Sequence, residues 1–455
     1  MTSGRAPTEE TMDRGREKSL YLRGGTVVDP QGGHRGAMDV LVTGGRVAGI
    51  GTVKPPKDAV EIDLRGRVVV PGLIDIHVHL REPGREDKET IASGTRAAAA
   101  GGFTAVACMP NTAPPLDTRS AVELVVREAS RRAVTRVYPI AAITQGRAGK
   151  VITEMGELRE AGAVAVSDDG DWVTDGHVMR RALEYARMCG LPVVSHAEDA
   201  SIKAGGVMHE GYWSTALGLK GIPAAAEEAA VARDIALARL TGARLHIAHI
   251  STAGAVEMVR RAQAEGIAVT AEATPHHFTL TDEAVRGYDA NTKMNPPLRS
   301  AADVEAVRRG IADGTIGVIA TDHAPHTEIE KEVEFDAAPN GIVGLETAVG
   351  LALTELVRPK IIDLETLVRR MSAAPAALLG VSGGTLAAGS PADVTVLDLD
   401  VEWTVEPAAF RSLSRNTPFA GRRLIGRAVL TIVGGTVVHS AMAGSGAPAV
   451  ETASP

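Results

Sequence analysis

The sequence lacks a disulfide framework, a cluster of positive charge and a long apolar run. Its 455 residues include only two cysteines, Cys108 and Cys189, which favours a reducing compartment. A net charge of −8 without a basic cluster argues against nucleic acid and anionic membranes as partners. No apolar run approaches the roughly 18 residues of a membrane span, and residues 1–19 lack the apolar centre of a signal peptide. We therefore expect a cytoplasmic protein that binds neither nucleic acid nor membrane.

The two ends of the chain share one pattern. Residues 19–70 and 386–440 contain short apolar runs separated by Gly-rich turns, as in a small β-meander. The segment GGTVV even occurs twice, at residues 24–28 and at residues 434–438. We predict that both ends form one β-sandwich domain around everything between them. Low apolar content predicts two disordered tails, at residues 1–18 and 441–455.

The middle of the chain, residues 71–385, alternates strands with Ala-rich helical segments such as Lys88–Ala100 and Ala224–Leu240. This alternation is typical of βα units on a parallel sheet. Eight strands are predicted, at Gly72–Leu80, Phe103–Met109, Arg136–Ile143, Ala163–Ser167, Leu191–Ser195, Arg244–Ala248, Ile267–Ala273 and Ile316–Ala320. We predict an α/β protein with a (β/α)₈ TIM-like barrel; a doubly wound open sheet is the alternative.

The segment DIHVHLREPG at residues 75–84 directly follows the apolar run VVVPGLI. On a strand His77 and His79 point to the same side, so two imidazoles converge at the end of an apolar strand. Such a pair favours a metal site, although paired histidines can also line a polar strand end.

Further candidate ligands follow the other predicted barrel strands. Functional groups of such barrels lie at the carboxyl ends of the strands. The candidates there are His77 and His79, Asp168 and Asp169, His196, His249, and Asp322. Each alone could be a capped or solvated loop residue, but together they form a nitrogen and oxygen set for one or two divalent ions, with zinc favoured. His246 lies three residues before His249 and is expected to face away from it.

Two motifs resemble the signatures of the dihydroorotase family of the amidohydrolase superfamily. They are DIHVHLREPG at residues 75–84 and ATDHAPHTEIEK at residues 320–331. The resemblance extends from about residue 20 to residue 440, and it is to the longer, class I bacterial form. It implies zinc-dependent, reversible cyclisation of N-carbamoyl-L-aspartate to L-dihydroorotate in de novo pyrimidine biosynthesis.

The resemblance also implies a ligand set. His77, His79 and Asp322 would hold one zinc ion, His196 and His249 a second, with Asp168 as the bridging ligand where several superfamily members carry a carbamylated lysine. Because barrel strands are buried on both faces, hydrophobic alternation cannot tell Asp168 from Asp169. Asp322 would also shuttle a proton between the nucleophilic water and the ring nitrogen.

Arg81 follows His79 by two residues and is therefore expected on the metal-facing side, where its guanidinium matches a substrate carboxylate. The resemblance implies further substrate-binding residues, namely His79, Asn111, Asn295, His326, Asn340 and Gly341. Asn340 stands where relatives often carry an aromatic residue, so its ring contact is in doubt, while Gly341 could offer a backbone N–H. Residues 323–344 are expected to form a mobile loop over the site.

Two alternatives stay open from the sequence. A hydantoinase or allantoinase would share the barrel and the metals, but those enzymes generally carry the bridging lysine and lack the arrangement of His79, Leu80 and Arg81. The chain could also be a noncatalytic, dihydroorotase-like partner of aspartate transcarbamoylase, although every ligand position is filled. An active enzyme could bind that partner too, and a homo-oligomer is expected.

Overall fold

The computed structural model describes residues 19–442. The predicted tails, residues 1–18 and all but the first two residues of 441–455, lie outside the described residues. Between residues 19 and 442 no helix is long and apolar enough to cross a membrane.

Both chain ends contribute strands to one eight-stranded sheet. Its strands are β1 (Leu20–Asp29), β2 (His34–Thr43), β3 (Arg46–Gly51), β4 (Val60–Asp63), β5 (Val68–Pro71), β16 (Val394–Thr404), β17 (Arg423–Val433) and β18 (Thr436–Ser440). The order is β18-β17-β16-β5-β1-β2-β3, with β4 also paired to β1. The antiparallel pairing of β5 with β16 joins the two ends, and the buried side chains of both, such as Val69 and Val396, share one core. The predicted sandwich-like unit is confirmed, while its exact domain bounds stay a prediction.

The second large sheet is the barrel, and its neighbouring strands pair in parallel. Its strands are β6 (Leu73–Val78), β7 (Phe103–Cys108), β8 (Arg136–Ala141), β9 (Ala165–Val166), β10 (Val193–Ser195), β13 (Leu245–Ile247), β14 (Val269–Ala273) and β15 (Val318–Ile319). All eight predicted strands are present, although most are shorter than predicted. The fold class is therefore confirmed, and the open doubly wound sheet is excluded. A separate two-stranded ribbon consists of β11 (Met208–His209) and β12 (Gly221–Ile222).

Helices separate the barrel strands. The α-helices are α1 (Ile91–Gly101), α2 (Arg119–Arg132), α3 (Met155–Glu160), α4 (Gly176–Cys189), α5 (Ala200–Lys203), α6 (Tyr212–Leu217), α7 (Ala225–Thr241), α8 (Ala253–Ala264), α9 (Ala301–Asp313), α10 (Glu328–Lys331), α11 (Ala348–Ala352), α12 (Leu364–Val368) and α13 (Ala374–Leu379). Short 3₁₀ helices occupy Gln145–Arg147, Asp282–Gly287, Ala290–Thr292 and Pro407–Ala409, and π-helical turns occupy Leu353–Val357 and Arg369–Ala373. α1 begins at Ile91 rather than Lys88, because Thr90 caps it by accepting a hydrogen bond from the Ser93 N–H.

The barrel closes beside its carboxyl-terminal mouth. Val78 at the end of β6 forms a parallel bridge with His323, and the His79 N–H donates to the His323 carbonyl at 2.8 Å. His323 also bridges to Ile342, which ties the loop after β15 to the same edge. Closure therefore depends on backbone immediately next to His79 and Asp322.

Candidate active site

Six side chains converge where the barrel strands end. His77, His79, Asp169, His196, His249 and Asp322 are each at most 8% exposed. Asp169 Oδ1 lies 3.3 Å from His77 Nε2, 3.4 Å from His196 Nδ1 and 3.7 Å from His249 Nε2. Asp322 Oδ1 lies 3.0 Å from His79 Nε2 and 3.4 Å from His77 Nε2. The convergence expected from five strand ends is therefore present in the structure.

The structure corrects the choice between the two neighbouring aspartates. Asp169 lies among the imidazoles, whereas Asp168 points away and accepts hydrogen bonds from the Ile143 N–H at 2.9 Å and the Thr144 N–H at 3.0 Å. The Thr144 hydroxyl donates to the second oxygen of Asp168. With both oxygens engaged by the loop after β8, Asp168 is not placed to bridge two ions.

Three residues of the site have left-handed backbone: Arg81 at φ 61°, His249 at φ 31° and Asp322 at φ 50°. This region costs an L-residue of these types about 1–3 kcal/mol, so it persists only where the surrounding structure demands it. Each of the three lies just after a barrel strand, where the chain must turn while its side chain stays directed at the site. Three of the seven non-glycine residues with positive φ among the described residues are thus candidate functional residues.

The six converging groups fit one or two metal ions. His77, His79 and Asp322 place one ligand atom each within 4.8 Å of one another, and so do His77, Asp169 and His249. His77 Nε2 and Asp169 Oδ1 are buried and have no hydrogen-bond partner among the described residues. Such orphaned atoms are costly unless something binds them. Imidazole nitrogens and carboxylate oxygens are the ligands that zinc accepts.

Further side chains orient the imidazoles. His77 Nδ1 lies 2.5 Å from Glu272 Oε1, and the other oxygen of Glu272 lies 3.1 Å from His246 Nε2. His79 Nδ1 lies 2.8 Å from Asn111 Oδ1. Because Nδ1–H donates to these acceptors, Nε2 of both His77 and His79 stays free for a metal ion. His246 is bonded to Thr270 and Glu272 and is not one of the six converging groups. Glu272 was not predicted; a carboxylate inside the apolar β14 was the signal for it.

Mutual attraction of these charges shifts their pKa values. Burial opposes protonation of His77, but Asp169, Glu272 and Asp322 outweigh it and raise its pKa well above the usual range. Burial favours neutral Asp169, yet the nearby imidazoles of His77, His196 and His249 hold its pKa well below the usual range. Burial lowers the pKa of His79. Since ligands bind metal in their deprotonated form, a cation at this site would compete with a proton for His77.

Arg81 and His326 face the same cleft. Arg81 Nε donates to the Pro325 carbonyl at 3.1 Å, and its Nη2 lies 3.4 Å from His326 Nε2. Burial lowers the pKa of Arg81 to about 10, so the guanidinium is charged at neutral pH. Across the described residues 19–442, no carboxylate forms an ion pair with it.

The remaining predicted substrate contacts are placed differently. Asn295 Nδ2 lies 2.9 Å from both His196 Nε2 and Glu198 Oε2, while Lys203 donates to Asn295 Oδ1 at 2.8 Å. Asn295 is thus beside the site but engaged with protein groups. Neither Glu198 nor Lys203 was predicted.

The loop residues Asn340 and Gly341 do not offer the predicted contacts. The Asn340 side chain is exposed, and its backbone carbonyl lies 2.8 Å from His326 Nε2. The Gly341 N–H donates to the Lys293 carbonyl at 2.9 Å and is therefore already engaged. The prediction that it donates to the substrate is corrected. Gly341 has φ 117°, and a Cβ there would lie 2.5 Å from the Ala324 Cβ, so only glycine fits.

Comparisons with known proteins agree on the chain's relationships. The dihydro-orotase-like family matches residues 66–255. The dihydroorotase of Pelotomaculum thermopropionicum is 58% identical over 419 residues, which cover 92% of this chain and 98% of that protein. The dihydroorotase of Geotalea daltonii is 54% identical over 422 residues, which cover 92% of this chain and 99% of that protein.

Solved structures share the fold at lower identity. The L-hydantoinase (dihydropyrimidinase) from Arthrobacter aurescens matches with a TM-score of 0.84 at 28% identity, covering 92% of this chain and 96% of that one. The dihydropyrimidinase from Brevibacillus agri matches with a TM-score of 0.81 at 26% identity, covering 93% and 95%. In sequence the chain is therefore about twice as similar to those dihydroorotases as to these hydantoinase-type structures.

Proposed function

The chain belongs to the dihydroorotase family and has that family's activity, hydrolysis and closure of a cyclic amide in pyrimidine biosynthesis, and on this premise we propose which residues perform it. The buried cluster of imidazoles and carboxylates would be the catalytic centre. Its filled ligand positions support an active enzyme rather than a noncatalytic partner. Arg81, together with an aspartate at the end of β9, supports a class I dihydroorotase rather than a hydantoinase or allantoinase.

Zinc is the proposed metal. His77, His79 and Asp322 would hold one ion, His196 and His249 a second, and Asp169 rather than Asp168 would bridge them. A divalent ion bound there supplies Lewis-acid polarisation of a carbonyl and lowers the pKa of a coordinated water. The donor set and the orphaned His77 Nε2 and Asp169 Oδ1 support this assignment.

Asp322 is the proposed proton carrier. In the hydrolytic direction its carboxylate would take the proton released as water adds to the ring carbonyl, and would then give it to the departing amide nitrogen. Cyclisation reverses both transfers. Support comes from the position of Asp322 on the left-handed turn after β15, where its carboxylate is held within 3.0 Å of His79 Nε2.

The single observation that carries the substrate assignment is Arg81. The Arg81 guanidinium is partly buried, forms no ion pair among the described residues and stands two residues from a candidate metal ligand, so it can take up an anion. A substrate carboxylate beside the scissile amide meets that need through a forked pair of hydrogen bonds. We propose that Arg81, Asn111 and His326 bind this carboxylate, with His79 and Asn295 lining the rest of the substrate site.

A direct assay tests the proposed function. Purified protein should cyclise N-carbamoyl-L-aspartate and open L-dihydroorotate, with zinc measured on the same sample, and should leave hydantoin and allantoin untouched. Preference for hydantoin or allantoin would overturn the substrate assignment. Failure of zinc to restore turnover to chelator-treated, folded protein would overturn the metal assignment.

The substrate contact has its own test. Arg81→Met should lower kcat/KM for L-dihydroorotate roughly a hundredfold, because a charge-assisted, forked hydrogen bond to the carboxylate is lost. Zinc content should stay at the level of the unmodified protein. Arg85→Met removes an exposed arginine four residues away and should change kcat/KM less than about twofold. Equal kinetics for both variants would show that the anion binds elsewhere.

We also propose where the protein is located and how it assembles. The resemblance to class I enzymes supports a cytoplasmic homo-oligomer that can associate with aspartate transcarbamoylase. Light scattering of the protein alone, and of a mixture with that partner, measures both kinds of association. A monomer that co-elutes with nothing would contradict this part alone.

A further inference from the structure

Lys88 occupies an unusual position for a lysine between a strand and a helix. It follows β6 and precedes α1, yet its side chain is only 7% exposed. Its Nζ lies 3.2 Å from His326 Nδ1 and 2.7 Å from Glu330 Oε1. The Ser414 hydroxyl donates to the Lys88 carbonyl at 2.7 Å and fixes the backbone there. A buried ammonium therefore contacts an imidazole that we assign to substrate binding.

Lys88 and the Asn340 carbonyl select the same tautomer of His326, whereas Glu330 Oε2, 3.5 Å from Nδ1, favours the other one. An ammonium can only donate, so His326 Nδ1 must be the acceptor toward Lys88. A carbonyl can only accept, so His326 Nε2, 2.8 Å from the Asn340 carbonyl, must carry the hydrogen. Both contacts thus require neutral His326 protonated on Nε2.

This tautomer places two donors side by side. Arg81 Nη2 lies 3.4 Å from His326 Nε2, and since both carry hydrogen they do not bond to each other. Burial and the cations Arg81 and Lys88 lower the pKa of His326 to about 3, which agrees with a neutral ring. A guanidinium and an N–H next to each other are suited to the two oxygens of one carboxylate, which would replace the neutral Asn340 carbonyl as the acceptor of the Nε2–H.

We propose that Lys88 is a positioning residue that fixes the Nε2–H tautomer of His326, and thereby turns this ring into a donor for the substrate carboxylate. The inference rests on the proposed function, because it takes His326 as a substrate contact. Without Lys88, Glu330 Oε2, which lies 3.5 Å from His326 Nδ1, can draw the hydrogen to Nδ1 in competition with the Asn340 carbonyl. Nε2 then presents a lone pair, which repels the substrate carboxylate. Glu330 balances the charge of Lys88 and holds it in place.

Two substitutions separate this role from simple loop anchoring. Glu330 accepts from Arg85 at 2.9 Å and from Lys88 at 2.7 Å, but of these two cations Lys88 is the one that contacts His326. Lys88→Met should raise KM for L-dihydroorotate roughly tenfold with little change in kcat, the effect of one lost charge-assisted hydrogen bond. Arg85→Met should change KM less than about twofold, and Lys88→Arg, which keeps a donor, should recover most of the loss. Equal rises in KM for Lys88→Met and Arg85→Met would overturn the proposal in favour of anchoring through Glu330.

Nitrogen NMR of histidine-labelled protein measures the tautomer itself. His326→Gln identifies the His326 signals by their disappearance. The unmodified protein should show a protonated Nε2 and an unprotonated Nδ1, and Lys88→Met should shift both signals toward a tautomer mixture. An unchanged His326 spectrum in Lys88→Met would overturn the proposal. By contrast, an unchanged KM in His326→Gln would overturn the substrate assignment of His326, whatever the spectrum shows.

Discussion

The two sides of the active site are completed in different ways. The metal side comprises His77, His79, Asp169, His196, His249 and Asp322, and it leaves buried nitrogen and oxygen atoms without protein partners. The carboxylate side comprises Arg81, His326 and Lys88, whose polar groups are bonded to loop backbone and to one another. The proposed metal side therefore has buried atoms that a cation would satisfy, whereas the proposed carboxylate side is already held in place by protein groups.

The supports of the two sides differ as well. The metal side is placed by the ends of barrel strands. The carboxylate side is held by a segment between β16 and β17. In that segment the Ser412 hydroxyl donates to Glu89. Asn416 donates to the carbonyls of Ala324 and Gly341, which lie on either side of the loop that carries His326. Glu89 in turn lies 3.3 Å from His323 Nε2. The connection between β16 and β17 thus holds the proposed carboxylate side in place, and changes there should leave the metal side intact.

The largest expected effect separates the two neighbouring aspartates. Asp169→Asn removes a charged ligand from the centre of the metal side and should lower kcat/KM on the order of a thousandfold, together with zinc content. Asp168→Asn keeps an acceptor for the Ile143 and Thr144 N–H groups and should retain zinc and most activity, with about 1 kcal/mol lower stability. Kinetics, zinc analysis and urea unfolding of both variants measure this. Zinc loss in Asp168→Asn alone would reverse our assignment.

Sequence patterns were sufficient for the fold and for most of the metal side. The alternation of apolar strands with Ala-rich helical segments located all eight barrel strands. The repeated GGTVV segment indicated that the two chain ends form one domain. They could not separate Asp168 from Asp169, because β9 has only two residues and both faces of a barrel strand are buried. Lys88 and Glu272 were missed because their partners, His326 and His77, lie 238 and 195 residues away in the chain. Such pairs are set by tertiary packing.

An intermediate effect is expected from the support of His77. Glu272→Gln keeps the size of the side chain but removes the negative charge that makes the His77 ring a stronger ligand. Zinc affinity should fall about 10–100-fold, with KM for L-dihydroorotate nearly unchanged in zinc-saturated protein. Competition with a metal chelator measures the affinity. A raised KM at full zinc occupancy would show that the two sides of the site are not independent.

The smallest expected effect tests the carboxylate side from its support. Asn416 is buried; its Nδ2 donates to the Ala324 carbonyl at 3.0 Å and the Gly341 carbonyl at 3.1 Å, and its Oδ1 accepts from the His326 N–H. Asn416→Asp keeps the acceptor but removes both donors and places a charge against two carbonyls, so the loop should loosen around His326. KM should rise about three- to tenfold, because a weakened hydrogen-bond pair costs about 1 kcal/mol, while zinc content and zinc affinity stay unchanged. Loss of zinc in this variant would mean that the loop also supports Asp322. The separation between the metal side and the carboxylate side would then fail at its closest point, the five residues from Asp322 to His326.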